Sequence, residues 1–296
     1  MKIFAPATSA NLGPGFDCLG LAIKLYNEVE IKPASFTSVS INGYGSDRAA
    51  LKKNNAFIGI FDEILGELGA AGGRYRFEFV NNIPFSRGLG SSSSVIVGAI
   101  ASAYEIAGFK ISREAILNKA LKYETHPDNI SPVVWGGFTA NIVAGGEVFT
   151  KKARLSEDLR AVVVIPDSAI STKQSRGKLP KNYTMSETVN NVSHASFLTA
   201  CFLMGDYDSL RLACVDKMHE ERRMSALPEL FEVRKIAYEN GALMSSLSGS
   251  GSTFFNLVYK DVASRLKAAL QVAFPKFRVE IFELDNDGFF ITQSKK

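Results

Sequence analysis

The chain has 296 residues, of which 46% are hydrophobic and 22% charged, a balance that excludes a disordered, collagen-like or disulfide-scaffold protein and allows two ordinary domains. Its 34 basic and 30 acidic residues give a net charge of +4 and are spread without a basic block or an aromatic-interleaved stripe, which argues against a nucleic-acid partner and suits an anionic small-molecule substrate. Cys18, Cys201 and Cys214 are too few for a disulfide framework and lack zinc-site spacing, and the most apolar stretches, Val95 to Ala101 and Ala161 to Ile165, are too short to cross a membrane, so a cytoplasmic protein with no membrane partner is expected.

In chain order, Lys2 to Phe4 read as extended, Pro6 to Gly20 as a Pro- and Gly-punctuated loop, and Asn27 to Lys32 as a strand. An Asn- and Gly-rich loop between strands commonly binds a ligand. Asn54 to Leu68 have helical spacing, and Tyr75 to Val80 alternate as a strand before a turn at Asn81 to Pro84. Small and apolar residues make Ser91 to Ala107 a helix, and Ser112 to Tyr123 form another with Ser112 as its N-cap. Glu124 to Ser131 read as a polar turn and Gly137 to Val143 as a strand. The polar segment Gly145 to Asp158 is expected to divide domain 1–158 from domain 159–296. Beyond it come a buried strand, Ala161 to Pro166, helices over Ser186 to Met204 and Asp206 to Met218, and a further helix before Gly241. A glycine-rich turn, Ser248 to Thr253, then precedes strand, helix and strand to Glu283.

The most informative stretch is Gly88-Leu89-Gly90-Ser91-Ser92-Ser93-Ser94, a loop that opens a helix. Free backbone N–H groups at a helix start cradle phosphate, and glycines let the backbone approach it. The stretch lacks the lysine of a Walker A loop and the third glycine of a dinucleotide fingerprint. With Pro84, Phe85, Ser86 and Arg87 before it, it resembles the ATP-binding motif of the GHMP kinases. The first motif, Pro6-Ala7-Thr8-Ser9-Ala10-Asn11-Leu12-Gly13-Pro14-Gly15-Phe16-Asp17-Cys18-Leu19-Gly20, looks like the form found in the homoserine kinase branch of that superfamily. His126-Pro127-Asp128-Asn129-Ile130, Ile165-Pro166 with Ser171-Thr172 and Arg176, Asp216 to Pro228, and Ser248 to Thr253 extend the resemblance along most of the chain. Departures are Ser252 in place of a usual proline, Glu221 where a Pro-Tyr-Arg run is common, and Phe85-Ser86 in place of a small residue.

The resemblance implies an α+β protein with the GHMP kinase fold, its N-terminal domain like the second domain of ribosomal protein S5 and its C-terminal domain ferredoxin-like. It also implies ATP-dependent phosphorylation of L-homoserine to O-phospho-L-homoserine in threonine biosynthesis, with Mg²⁺, by a homodimer. Asn11, Asp17, His126, Asn129, Thr172, Arg176 and Arg223 are then expected to line the amino-acid site, with Asp17, Asn129 and Arg176 central to catalysis. An amino acid presents a carboxylate, which suits bidentate arginine, and an ammonium, which suits carboxylate and amide oxygens. Pro84, Arg87 and Gly88 to Ser94 (Gly88, Leu89, Gly90, Ser91, Ser92, Ser93, Ser94) are expected at the nucleotide, Asn55 near the adenine, and Glu124 with Ser91 or Ser92 at the metal. His194 reads as structural and His219 as a residue that orients Arg223. Two rivals stand beside this reading: a relative acting on mevalonate or shikimate, and a non-catalytic nucleotide- or RNA-binding module of the same fold.

Overall fold

Strands whose side chains alternate between two faces build two sheets in the computed structural model, which describes residues 1–168 and 175–293. The first sheet holds β1 (Lys2–Ala10), β2 (Leu19–Pro33), β3 (Ser38–Gly43), β4 (Tyr75–Asn81), β5 (Phe138–Ala144) and β6 (Glu147–Ala153). All its pairings are antiparallel except that of β3 with β4. The second contains β7 (Leu159–Ile165), β8 (Met244–Leu247), β9 (Phe254–Tyr259) and β10 (Arg278–Phe282), in the order β10-β7-β9-β8. The last strand, β11 (Phe290–Thr292), then crosses back to pair with β1. A cut after residue 158 therefore leaves one strand of the first sheet on the far side.

Helices α1 (Ala49–Lys53), α2 (Ala56–Glu67), α3 (Ser91–Ile106), α4 (Arg113–Ala120) and α5 (Pro127–Trp135) belong to the first half. With the first sheet they enclose a core that includes Phe57, Phe61, Phe77, Val97 and Ile100. In the second half are α6 (Met185–Met204), α7 (Leu210–Ala213), α8 (Glu220–Met224), α9 (Glu229–Glu239) and α10 (Lys260–Ala273). The period-2 rule is plain in β7. Val162 and Val164 enter an outer core with Leu230, Leu266 and Leu270, while Ala161 and Val163 enter a middle core with Leu12, Leu21, Phe138 and Phe202. That middle core joins the two sheets and fixes the cleft between them.

Several expected elements differ. The first strand runs on to Ala10 through a register shift between Pro6 and Ala7, so the loop shortens to the residues before Leu19. The turn expected over Glu124 to Ser131 is largely α5, for which Pro127 at the first helical position supplies a preset φ after His126 as N-cap. The polar segment after Gly145 holds β6, the second arm of a hairpin with β5; the Gly145-Gly146 pair, both at positive φ, was its sequence signal. The helix expected over Asp206 to Met218 shrinks to Leu210–Ala213. Asp216 explains this, because its carboxylate accepts from the N–H groups of His219 (2.7 Å) and Glu220 (2.8 Å) and so nucleates α8 instead.

Candidate active site

Three glycine-rich segments meet backbone to backbone. Gly90, at φ +68°, is the left-handed N-cap residue of α3, and the first turn of that 16-residue helix carries no acidic side chain. Its leading N–H groups have no partner within the helix, which leaves them and the positive helix end for an anion. A Cβ on Gly88 would lie 2.0 Å from the Ser248 carbonyl oxygen, and one on Gly90 2.0 Å from Thr8 Oγ1. The contacts are hydrogen-bonded as well: Ser248 Oγ donates to Gly88 O (2.7 Å), Thr253 N to Arg87 O (3.1 Å), and Thr8 N to Leu89 O (3.2 Å). The loop is thereby held from both sides.

A cavity of about 220 Å³ lies against this loop, and Asp17, His126, Arg176 and Arg223 line it as well. Asp17 sits at φ +60° in a tight loop with Asn11 (φ +70°) and Leu12 (φ +51°), a run of strained non-glycine residues of the kind found at functional sites. Asn11 holds the loop shut. Its Oδ1 accepts from Asp17 N (2.9 Å) and its Nδ2 donates to Gly249 O (2.9 Å). Arg176 Nη2 donates to Asp17 Oδ1 (2.7 Å) and Oδ2 (3.0 Å), and His126 Nδ1 lies 3.5 Å from Asp17 Oδ2. Burial lowers the His126 pKa, against the opposing pull of Asp17. Asn129 lines the cavity beside Gly90, with its Oδ1 accepting from Thr8 Oγ1 (2.7 Å), so its NH₂ is what remains to offer a ligand.

Arg223 is only 4% exposed and donates to Gly249 O (3.1 Å) and to His219 Nδ1 (3.2 Å), while its Nε has no partner among the described residues. His219 Nε2 lies 2.7 Å from Gly13 O, which can only accept, so the proton is on Nε2 and the lone pair of Nδ1 faces Arg223. Protonating this ring would turn it against the guanidinium. Burial holds the His219 pKa down, to about 4 from 6.5, despite the nearby Asp216. The unfolded chain therefore takes up a proton that the folded one refuses. The stability that depends on a neutral His219 is complete above the unfolded pKa and is lost as pH falls from there towards about 4. Denaturant unfolding is expected to show a loss of stability on acidification from this source that is largely absent in His219→Gln; an equal loss in both proteins would remove His219 from the account.

Two further carboxyls face the cavity. Glu124 accepts from Ser93 Oγ (3.3 Å), and burial raises its pKa. Asp128, in the first turn of α5, is buried and pushed up to about 7 by desolvation, then by Asp17 and Glu124. Ser91 Oγ is buried without a hydrogen-bond partner, and Ser92 lines the cavity. One carboxylate beside an orphaned hydroxyl is a hard-oxygen set that fits Mg²⁺ shared with phosphate and water. Among the described residues there is no cluster of three or more His, Cys, Asp or Glu side chains able to hold a metal by itself.

Of the residues singled out from sequence, Asn11, Asp17, Pro84, Arg87, Gly88, Leu89, Gly90, Ser91, Ser92, Ser93, Glu124, His126, Asn129, Arg176 and Arg223 come together around one cavity. Ser94 is turned inward, donating to Ser91 O (2.9 Å) and accepting from Asn27 Nδ2 (2.8 Å). Asn55 caps α2 through Phe57 N and Ile58 N and does not line this cavity. Arg87 lines the mouth, but its guanidinium is engaged by the carbonyls of Pro166, Phe85 and Asp167, tying the loop to the second half. Thr172 lies outside the described residues. Sequence reasoning assigned nothing to Asp128, Phe16 or Gly249. The Gly249 carbonyl unites Asn11 with Arg223 across more than 200 positions, for which no local signal exists.

Residues 55–137 match the family model for the GHMP kinases N terminal domain and residues 197–276 that for the GHMP kinases C terminal. The chain is 67% identical over 291 residues to a homoserine kinase of Campylobacter fetus subsp. fetus (strain 82-40), covering 98% of this chain and 99% of that protein. It is 65% identical to one from Campylobacter concisus (strain 13826), covering 99% and 100%. The crystal structure of homoserine kinase from Cytophaga hutchinsonii superposes with a TM-score of 0.87 at 27% identity, over 98% of this chain and 96% of that one. A mevalonate kinase of L. major shares the fold, with a TM-score of 0.72 at 17% identity over 96% of each chain. Matched by both models, and so similar to these relatives along its length, the chain belongs to the GHMP kinases, in their homoserine kinase family.

Proposed function

We propose that the chain transfers the γ-phosphate of ATP to the side-chain hydroxyl of L-homoserine, forming O-phospho-L-homoserine for threonine synthesis. The observation that carries this is the Asp17–Arg176 ion pair lining the same cavity as the glycine-rich loop. A zwitterion exchanges that one internal pair for two. Its ammonium meets Asp17 and Asn11, and its carboxylate meets Arg176 and the buried Arg223. The hydroxyl then lies near Asn129, at the junction with Gly90, where a Cβ on the glycine would be 3.2 Å from Asn129 Oδ1. Phosphoryl transfer through a loose transition state depends on such positioning and on charge stabilisation more than on a strong base.

In this reading, Gly88 to Ser93 hold the β- and γ-phosphates, and Glu124 with Ser91 or Ser92 would hold Mg²⁺, which would supply neutralisation of developing charge. The first half, 1–158, carries the nucleotide, and 159–296 supplies both arginines. A cytoplasmic homodimer belongs to the same proposal. No helix among the described residues is long and apolar enough to cross a membrane. A coupled ADP-release assay offering L-homoserine, L-serine and mevalonate is expected to show turnover with L-homoserine above all. Turnover with mevalonate instead, or tight RNA binding without ATP turnover, would sink the proposal.

A further inference from the structure

Phe16 lies between Gly15 and Asp17, and its side chain carries no group that ionises or hydrogen-bonds. Yet three groups converge on it. The Arg176 guanidinium carbon is 5.2 Å from the ring centroid, that of Arg223 5.1 Å, and the His219 ring is 5.0 Å away at an interplanar angle of 34°. Two like charges so placed repel, and burial with the charge of Arg176 lowers the Arg223 pKa. Asp17 answers Arg176 directly, whereas the hydrogen bonds of Arg223 run to the neutral acceptors His219 Nδ1 and Gly249 O. The negative face of an aromatic ring attracts a cation within about 6 Å, most strongly where water is excluded.

We infer that Phe16 is a positioning residue whose ring face holds the two guanidinium groups together at the spacing that receives one substrate carboxylate. It thereby selects for substrates that carry that group. The inference rests on the amino-acid reading of the cavity given above. The ring offsets the repulsion while the pocket is empty, so Arg223 does not have to be gathered in when the substrate arrives, and that ordering cost is removed from binding.

The test is a series of phenylalanines at position 16 carrying one to five ring fluorines, which progressively withdraw the negative face while keeping the ring's shape, with Phe16→Leu as its end point. The KM for L-homoserine is expected to climb with each fluorine to about tenfold, while the KM for ATP stays within about twofold and the melting temperature falls by no more than a few degrees. A flat series in an enzyme that turns over L-homoserine overturns the inference, as does a parallel rise in both KM values. Absence of turnover in the unsubstituted chain would instead remove the amino-acid reading, and this inference with it.

Discussion

Arg223→Ala is expected to raise the KM for L-homoserine on the order of 10²- to 10³-fold while leaving the KM for ATP nearly unchanged, as follows from the cost of truncating one member of a buried charge pair. Arg223 is 4% exposed and lines the cavity, so a substrate carboxylate gains a dehydrated partner there. Arg176 provides the contrast. Its side chain is 39% exposed and already paired with Asp17, so Arg176→Ala is expected to cost less, about tenfold, because solvent screens the interaction. Arg223→Lys does not restore binding, since an ammonium lacks the planar fork. Equal effects of the two alanine variants on L-homoserine, or a large effect of Arg223→Ala on ATP, would place the carboxylate elsewhere. Steady-state kinetics with each substrate varied in turn decide the matter.

Gly88→Ala is expected to lower kcat/KM for ATP by about 100-fold or more. Gly88 sits at φ +77°, and an added Cβ would meet backbone: Ser248 O at 2.0 Å, Ser248 C at 3.0 Å and Gly251 N at 3.2 Å. Backbone cannot swing aside as a side chain does, so the phosphate loop and the third glycine-rich turn must separate. A displacement of about 1 Å in groups that position a reacting phosphate is enough for a loss of that order. Gly108→Ala is the control. It also imposes positive φ (+76°), but its Cβ would meet nothing within 4 Å, so the strain is alike and the contact absent. That variant is expected to keep its ATP kinetics and to lose only stability. Wild-type ATP kinetics in Gly88→Ala would show that the packing of the two loops does not hold the cradle.

Residues that act through their own backbone were legible in the sequence. Gly88, Gly90 and the serines after them form a loop opening a helix, as their order predicts, because a left-handed glycine and a helix start are encoded within a few positions. Helix α2, strand β4 and helix α3 appear within a residue or two of where periodicity placed them, since each buries a face of its own. Short or exposed elements were harder. Strand β6 exposes most of its side chains, and β11 is three residues long, so neither carries a pattern that outweighs the turn residues around it.

The sequence by itself determined the family, the glycine-rich loop that opens α3 and the set of charged residues that line the cavity, because these are properties of residue type at short spacing. The tertiary structure alone decided which of them meet. Asp17 and Arg176, 159 positions apart, become an ion pair, and Asn11 and Gly249, 238 apart, close the pocket floor. The same folding set Ser94 against Asn27 and bound Arg87 to carbonyls of the second half. Such outcomes follow from a middle core that presses two sheets together, and no local pattern records the geometry that results when distant apolar faces bury each other.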